Sequence, residues 1–266
     1  MDLQKFDSNL ELDLYTQVYE SNLPKPSKDS YNFYRTYASE AKGPILEPMC
    51  GAGRYLLPLL EEGFSVEGFD ASEGMLGALM LKAQKLKLQP TVWQDFLQHF
   101  EAPQKYKLIY IPYGSFNLII DPPSVKAALA TIYENLMPGG IFLFEIETLT
   151  AIPRTFDSWV NKKEHPREDG KIISAKFFHF KPVSNVYFTI CRFELADDKN
   201  MLTQAKSFDA RASVEDVIHG SLKYAANEVV ALLEEAGFHK ITMMKPFDKN
   251  QKPDINDPII VYECIK

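Results

Sequence analysis

From residue 43 to residue 147 the apolar positions alternate between two rhythms. Short apolar runs of strand length are separated by stretches whose apolar residues return every three or four positions. Pro44-Ile45-Leu46-Glu47, Phe64 to Phe69, Thr91-Val92-Trp93, Lys107 to Ile111 and Ile141 to Ile146 read as strands. The fourth is apolar enough to be central. Helices are predicted over Arg54 to Glu62, ended by Gly63, and from a Ser72 cap to about Leu88, with Pro90 beyond. Pro58 falls near the first turn of the former, where a missing N–H costs little. A third helix follows Asp121 as N-cap and Pro122 as first helical residue. Val125, Leu129, Ile132, Tyr133 and Leu136 recur along it, and Pro138-Gly139-Gly140 stops it. Strands and helices alternating with short links imply a parallel sheet covered on both faces.

Two segments break the rhythm. The first 42 residues are rich in tyrosine and divided by Pro24 and Pro26. They predict one helix over about Glu11 to Tyr19 and a second from Asp29, its N-cap, to Ala41. Residues 148–212 show no amphipathic helix. Lys171 to Phe180, Val186 to Glu194 and Leu202 to Ala210 read instead as antiparallel strands, with polar turns such as Asp197-Asp198-Lys199-Asn200. A helix over Asn227 to Ala236, capped by Gly237, and strands at Lys240 to Met244 and Ile259 to Ile265 resume the pattern. The expected fold is α/β. A Rossmann-like, seven-stranded, mostly parallel sheet carries helices on both faces and an antiparallel strand at its C-terminal end. It spans 43–147 and 213–266, with a helical cap at 1–42 and a small antiparallel β insertion at 148–212 roofing the substrate pocket.

The chain has 266 residues, 45% hydrophobic and 24% charged, the balance of a soluble globular protein. Its net charge of -7 argues against a nucleic acid held by phosphate neutralisation and favours a small-molecule partner. Cys50, Cys191 and Cys264 form neither a disulfide framework nor a zinc site and point to a reducing compartment. The acidic N-terminus lacks the apolar core of a signal peptide, and the uncharged run Leu108 to Ile120 is too short to span a bilayer. A cytoplasmic protein without membrane contact is expected, monomeric or homodimeric.

The chemistry begins at ILEPMCGAGR, residues 45–54. Gly51-Ala52-Gly53 follows the first strand, where ligands of open parallel sheets bind and where glycine permits close backbone approach. Phe69-Asp70 ends the second strand, 19 residues after Gly51, and a carboxylate there can accept from a ribose diol. Asp95, in Trp93-Gln94-Asp95-Phe96, ends the third and can accept from an exocyclic amine while Phe96 packs against a base. Each aspartate alone reads better as a helix cap or solvated loop acid; the two together beside the glycine loop favour an adenosyl ligand. The dinucleotide fingerprint requires a glycine at position 56, which is Leu56. Glu47 so near the loop suits a positively charged ligand, and S-adenosylmethionine carries an ammonium and a sulfonium.

Together ILEPMCGAGR, VEGFDASEGML, WQDF and LMPGG resemble the class I S-adenosylmethionine-dependent methyltransferases, especially the bacterial small-molecule branch. The likeness covers about residues 30–146 and extends to the tail NEVVALLEEAGF. It implies that Glu47 serves the methionine end of the cofactor and that Cys50, Gly51, Ala52 and Gly53 form its loop. It further implies Asp70 on the ribose, Ala71 and Met75 against adenine, Asp95 on the adenine amine with Gln94 and Phe96 flanking, and Ile111 beneath the sulfonium. Met49 replaces the family's first loop glycine and is expected to face the helix. An N-terminal helix closing over the cofactor would bring Tyr15, Tyr19, Tyr31 and Tyr34 as candidates, Tyr34 to the cofactor and Tyr15 and Tyr19 to the substrate. Arg35 would pair with the cofactor carboxylate. The same tyrosines also suit a helix packing its aromatic face on the sheet.

Asp121-Pro122-Pro123-Ser124 comes too late after the fourth strand to be the DPPY-type motif of amino-methylating enzymes. Pro112-Tyr113-Gly114-Ser115-Phe116 follows the strand directly and is expected to form the pocket wall, with Ser115 and Phe116 as substrate contacts. Glu145 and Glu147 share a face of the fifth strand and are candidates to hold a substrate amine, Glu145 foremost. The histidines are scattered, no general base stands out, and no metal is expected. The resulting expectation is an enzyme moving a methyl group by in-line displacement to nitrogen or oxygen of a small molecule, with S-adenosylhomocysteine as product. Alternatives are an NAD-dependent oxidoreductase on a similar sheet and a non-enzymatic cofactor-binding or scaffold protein.

Overall fold

The computed structural model describes residues 13–22, 25–152, 157–167, 170–196, 214–254 and 256–266. The main sheet contains β1 (Ile45–Pro48), β2 (Val66–Asp70), β3 (Thr91–Gln94), β4 (Tyr106–Ile111), β5 (Leu136–Glu147), β10 (Lys240–Met244) and β11 (Ile259–Ile265). Their order is β10-β11-β5-β4-β1-β2-β3. The pairs among β1 to β5 are parallel, while β11 runs antiparallel to both β5 and β10. The helices are α1 (Leu14–Asn22), α2 (Lys28–Ala41), α3 (Leu56–Glu61), α4 (Glu73–Leu86), α5 (Pro122–Asn135) and α6 (Ala226–Glu235).

Strand alternation divides the core into two layers. Ile45, Leu108, Tyr110 and Leu143 face a cluster with Phe33, Tyr34, Tyr37, Leu56 and Leu79 of α2, α3 and α4. Leu46, Ile109, Ile111, Phe142 and Phe144 face Val125, Leu129 and Ile132 of α5 and Val229 and Leu233 of α6. Each face therefore has its own dry layer, as a parallel sheet requires.

Three expectations need correction. Ser27, not Asp29, caps α2: its hydroxyl accepts from the Ser30 N–H, and Asp29 sits in the first turn, where an acid complements the helix dipole. The second sheet has the order β6-β7-β8-β9, from β6 (Trp159–Arg167), β7 (Gly170–Lys181), β8 (Val186–Ala196) and β9 (Val214–Leu222), all antiparallel. It therefore runs past the expected boundary at 212. The two strands missed in sequence, β6 and β9, are its edges, where charged residues and Pro166 are tolerated and alternation is diluted. The expected strand at Leu202 to Ala210, the turn at 197–200 and the first part of the N-terminal helix lie outside the described residues.

The second sheet is tied to the first at two places. Val18 of α1 clusters with Ile172, Cys191 and Phe193, with Leu14 and Tyr15 packed alongside, while Tyr15 and Tyr19 lie on Ala52, Met75 and Ala78 of the main domain. Asn117, fully buried after β4, donates to the carbonyls of Glu147 (2.9 Å) and Leu222 (2.5 Å) and accepts from the Glu147 N–H (2.9 Å). No helix among the described residues is long and apolar enough to cross a membrane.

Truncating Asn117 would strand three buried backbone groups. Asn117→Ala is expected to cost about 3 kcal/mol, lowering Tm by roughly 6–12 °C in a chain this size. A Tm unchanged in differential scanning calorimetry would show that this residue does not join the sheets.

Candidate active site

Because β1 has β2 on one side and β4 on the other, strand order reverses there, and a crevice opens beyond the carboxyl ends of β1 and β4. The loop after β1 is wound tightly: Met49, Gly51 and Gly53 have φ of 56°, 53° and 75°. The Cys50 N–H donates to the Phe69 carbonyl at 3.0 Å and the Gly53 N–H to the Cys50 carbonyl at 2.9 Å. Met49 keeps the left-handed conformation of the glycine it replaces, and its half-buried side chain packs on the α5 face rather than on α3. A Cβ on Gly68 of β2 would lie 2.5 Å from the Leu56 side chain. The close helix–strand approach that a dinucleotide site obtains from a glycine at position 56 is obtained here from a glycine on the strand.

Asp70 is fixed by backbone donors, the Gly51 N–H at 2.7 Å and the Ser72 N–H at 2.8 Å, with the Ala71 N–H beside them. Burial raises its pKa and these donors oppose the rise. A carboxylate has about four lone-pair sites, so acceptor capacity remains for a ligand. The Asp95 N–H donates to the Asp70 carbonyl at 3.2 Å, which brings the two strand ends together. Its carboxylate accepts from the Phe96 and Glu101 N–H groups at 2.8 and 3.2 Å, ordering its own turn. Gln94 donates to the Ala71 carbonyl at 3.0 Å, Phe96 is exposed, and Met75 and Ala52 are buried beneath Tyr15 and Tyr19.

Several predicted residues belong to the frame instead. Tyr34 is fully buried behind the strand ends, and its hydroxyl donates to Glu145 at 2.6 Å. Glu145 is thus buried on the α2 face and also accepts from the Tyr113 N–H, so both of these partners are internal. Ile111 and Phe116 are buried in the α5-side core, Phe116 against Phe144 at 5.2 Å. Ser115 is half-buried in a short 3-10 turn. Arg35 and Tyr31 both reach Glu62, so Arg35 is paired away from the crevice. The Tyr15 ring lies against that of His219 of the second sheet, centroids 5.1 Å apart and tilted by 44°.

Three residues that the sequence reading left without a role, Tyr110, Arg54 and Lys223, partner the residues at the strand ends. Tyr110 of β4 donates to Glu47 at 2.6 Å, and Glu47 also accepts from the Leu56 N–H. Burial pushes the Glu47 carboxyl up to about 8, against the pull of Tyr110 and Arg54. Arg54 ends the glycine motif and is 7% exposed; it donates to the Tyr19 hydroxyl and lies over the Tyr113 ring at 4.5 Å. Beyond Gly114, Glu147 pairs with the buried Lys223, which also donates to Ser221 at 3.0 Å. Arg54 was visible in the motif, but the burial of a cation is a tertiary fact without a local signal.

Residues 45–140 match the methyltransferase-domain family model. Among solved structures, an S-adenosylmethionine-dependent methyltransferase from Clostridium acetobutylicum superposes with TM-score 0.73 at 17% identity, covering 94% of this chain and 97% of that one. The fold is that of the class I methyltransferases. A sugar N-methyltransferase from Streptoalloteichus shares this methyltransferase fold, with TM-score 0.70, 15% identity and coverage of 96% and 94%. In sequence, the dTDP-3-amino-3,4,6-trideoxy-alpha-D-glucopyranose N,N-dimethyltransferase of Streptomyces venezuelae is 27% identical over 172 residues, 64% of this chain and 68% of that protein. Relatives in Geobacillus sp. (strain WCH70) and Bacillus subtilis (strain 168) carry methyltransferase in their names and are 27% and 25% identical. The matched stretch spans 49% and 58% of their lengths, about half of each.

The Glu47 environment sets a pH dependence. Its folded pKa, about 8, lies above the ordinary 4.5, so folding favours the protonated form. The associated stability is full below the ordinary pKa and is lost as pH rises through the folded one. Glu47→Gln removes the titration while keeping an acceptor for Tyr110. The wild type is expected to lose on the order of a few kcal/mol relative to the variant between pH 5 and pH 9 in urea unfolding. Parallel profiles would show that Glu47 does not titrate across this range.

Proposed function

We propose that the chain transfers a methyl group from S-adenosylmethionine to a nitrogen or oxygen of a small molecule. The observation that carries the reading is Asp70, a carboxylate locked by backbone N–H groups, Gly51 and Ser72 foremost, at the strand-order reversal, with acceptor capacity left for a ribose hydroxyl. The rest of the crevice fits the same cofactor. Asp95 adjoins Asp70 and would meet the adenine amine, with Gln94, Phe96, Ala71 and Met75 around the base. Cys50 to Gly53 would pass the ligand close to the backbone, and Glu47 lies at the end suited to positive charge. Arg54 adds a buried donor, its Nε, which has no partner among the described residues.

When bound, S-adenosylmethionine supplies a methyl group already activated for displacement. The chain's own work is then to hold and align the two reactants, which can remove roughly 7–11 kcal/mol of barrier. The acceptor would lie against the turn after β4, under α1 and the second sheet, where Tyr19 and Tyr113 face Arg54. Nitrogen is the favoured acceptor atom. Glu147, paired with Lys223 beside Gly114, suits an amine, and two of the similar proteins are named as N-methylating enzymes of sugars. The oxidoreductase reading is disfavoured by Leu56 and by the absence of the glycine at its position.

Thermal unfolding with S-adenosylmethionine, S-adenosylhomocysteine and NAD in parallel tests this. A ligand at 100 times its Kd adds about 2.7 kcal/mol, or roughly 5–10 °C here. Both sulfur ligands are expected to raise Tm, NAD is not, and Asp70→Ala should weaken S-adenosylhomocysteine at least tenfold. A rise with NAD alone, or an Asp70→Ala protein that binds as the wild type does, overturns the proposal.

A further inference from the structure

The second sheet has two faces of different character. Ile172, Cys191 and Phe193 point to α1, and the Tyr15 ring lies against His219, so the residues between them in β7, β8 and β9 point the opposite way. On that outer face the register sets four large apolar residues in one row. Trp159 pairs with Phe177, Phe177 with Ile190, and Ile190 with Ile218. The row crosses every strand of the sheet. Its two ends are open, Trp159 at 41% and Ile218 at 64% exposure. Single apolar side chains on a surface are ordinary, but an unbroken row from edge to edge is not. Ile120, itself exposed, continues it: a Cβ on Gly220, the next outward position after Ile218, would lie 2.9 Å from the Ile120 side chain.

Polar residues rim the row. Arg192 lies over the Trp159 ring at 5.1 Å and Lys181 over the Phe188 ring at 5.0 Å. His179 is hydrogen-bonded to Asp157 at 2.9 Å, and Lys171 pairs with Glu164 at 3.0 Å. An apolar centre inside a polar rim is the anatomy of a protein interface. The size fits as well. Strands of nine to twelve residues present a face of roughly 600–750 Å² in projection, at about 4.8 Å between strands and about 3.3 Å per residue. A stable complex buries about 800 Å² per partner, which side-chain relief and the Ile120 extension supply. Charge then selects the partner. Two chains of net charge -7 repel each other on average. Among the described residues this face instead sets Lys171, Lys181 and Arg192 beside Asp157 and Glu164, so it meets a copy of itself without an excess of either sign.

We propose that the outer face of the second sheet is the interface with a second copy of this chain, the two rows seated on one another. A two-fold axis lying between the faces and passing through the row sets Trp159, Phe177, Ile190 and Ile218 of each copy on the same row of the other, a contact that closes at two subunits. The paired sheets form an aligned sandwich about 10 Å thick. The opposite face of the same sheet meets Tyr15 through His219, and Ser221 there accepts from Lys223, so the partner braces the roof of the crevice from behind. The inference is independent of the methyl-transfer reading.

Sedimentation equilibrium of the full chain, from about 1 to 100 μM, tests this. The wild type is expected to sediment as two 30.3 kDa chains at the upper end of that range. Ile218→Arg and Trp159→Arg, at opposite ends of the row, are each expected to weaken association at least tenfold. Both positions are exposed, so neither change should unfold the chain. Met243→Arg, an equally accessible apolar position on β10 outside this face, is expected to leave association unchanged. Acrylamide quenching reads the same contact in unaltered protein. Trp159 is one of two tryptophans, so the quenchable share of the emission should fall as the concentration rises. A wild type that stays monomeric throughout overturns the inference. So does a dimer that survives both row substitutions, or whose tryptophan emission stays equally open to acrylamide. Association lost in Ile218→Arg alone places the contact at the β9 edge and overturns face-to-face pairing.

Discussion

Taking a carboxylate out of water costs several kcal/mol unless hydrogen bonds replace the lost hydration, and this chain buries two on one face of one sheet. Glu47 and Glu145 are 2% and 3% exposed. Each is met by a tyrosine hydroxyl at 2.6 Å, Tyr110 for Glu47 and Tyr34 for Glu145. Each also accepts one backbone N–H, from Leu56 and from Tyr113. Those donors open α3 and the turn after β4, the two segments that bracket the crevice. The buried acids therefore act as internal anchors, and the position of both loops depends on their being satisfied.

Satisfying them fixes α2. Tyr34 reaches Glu145 only if the helix lies across the strand ends, where its ring also meets Tyr55 and Tyr110 at 5.3 Å each. Tyr55 in turn hydrogen-bonds Ser30 at 2.6 Å, one turn earlier on the same helix. The N-terminal tyrosines thus divide by depth. Those of α2 are frame, buried and bonded to carboxylates, whereas those of α1 lie on the glycine loop and α4. A count of tyrosines cannot distinguish the two groups, because both helices repeat tyrosine every three or four positions, the spacing of one helix face.

That limit marks what the sequence discloses here. The parallel core was legible because its strands are continuous apolar runs and its helices carry Ser72, Asp121, Gly63 and Gly237 at their ends. Asp70 was legible because a strand, a fixed spacing and a glycine loop determine where its carboxylate falls. The edge strands β6 and β9 were not, since an edge needs no uniform apolar face. Ile111 was misplaced because, near a strand end, a one-residue change of facing separates core from crevice. Phe116 lies in the following 3-10 turn against Phe144, and Glu145 keeps its expected facing but is covered by Tyr34 of α2, contacts that no local pattern discloses. Leu56 shows the converse. Its size excluded one fingerprint, but Gly68 had to be seen opposite it to explain how so large a residue fits.

Arg54 carries the argument furthest from the sequence. Its neighbours arrive from three directions, Tyr19 from α1, Tyr113 from the turn held by Glu145, and Glu47 across the loop, so its surroundings exist only once the anchors have set. A positive charge placed last, in a pocket whose walls are fixed by buried acids, is held at a defined point rather than on a mobile arm. Ligand charge read at such a point needs little reorganisation on binding, which is the condition under which a small site can discriminate by a single functional group. The same anchors that make the frame costly to build thus give the crevice a fixed electrostatic pattern. Acidic groups stand at Asp70 and Glu47 and a cation at Arg54.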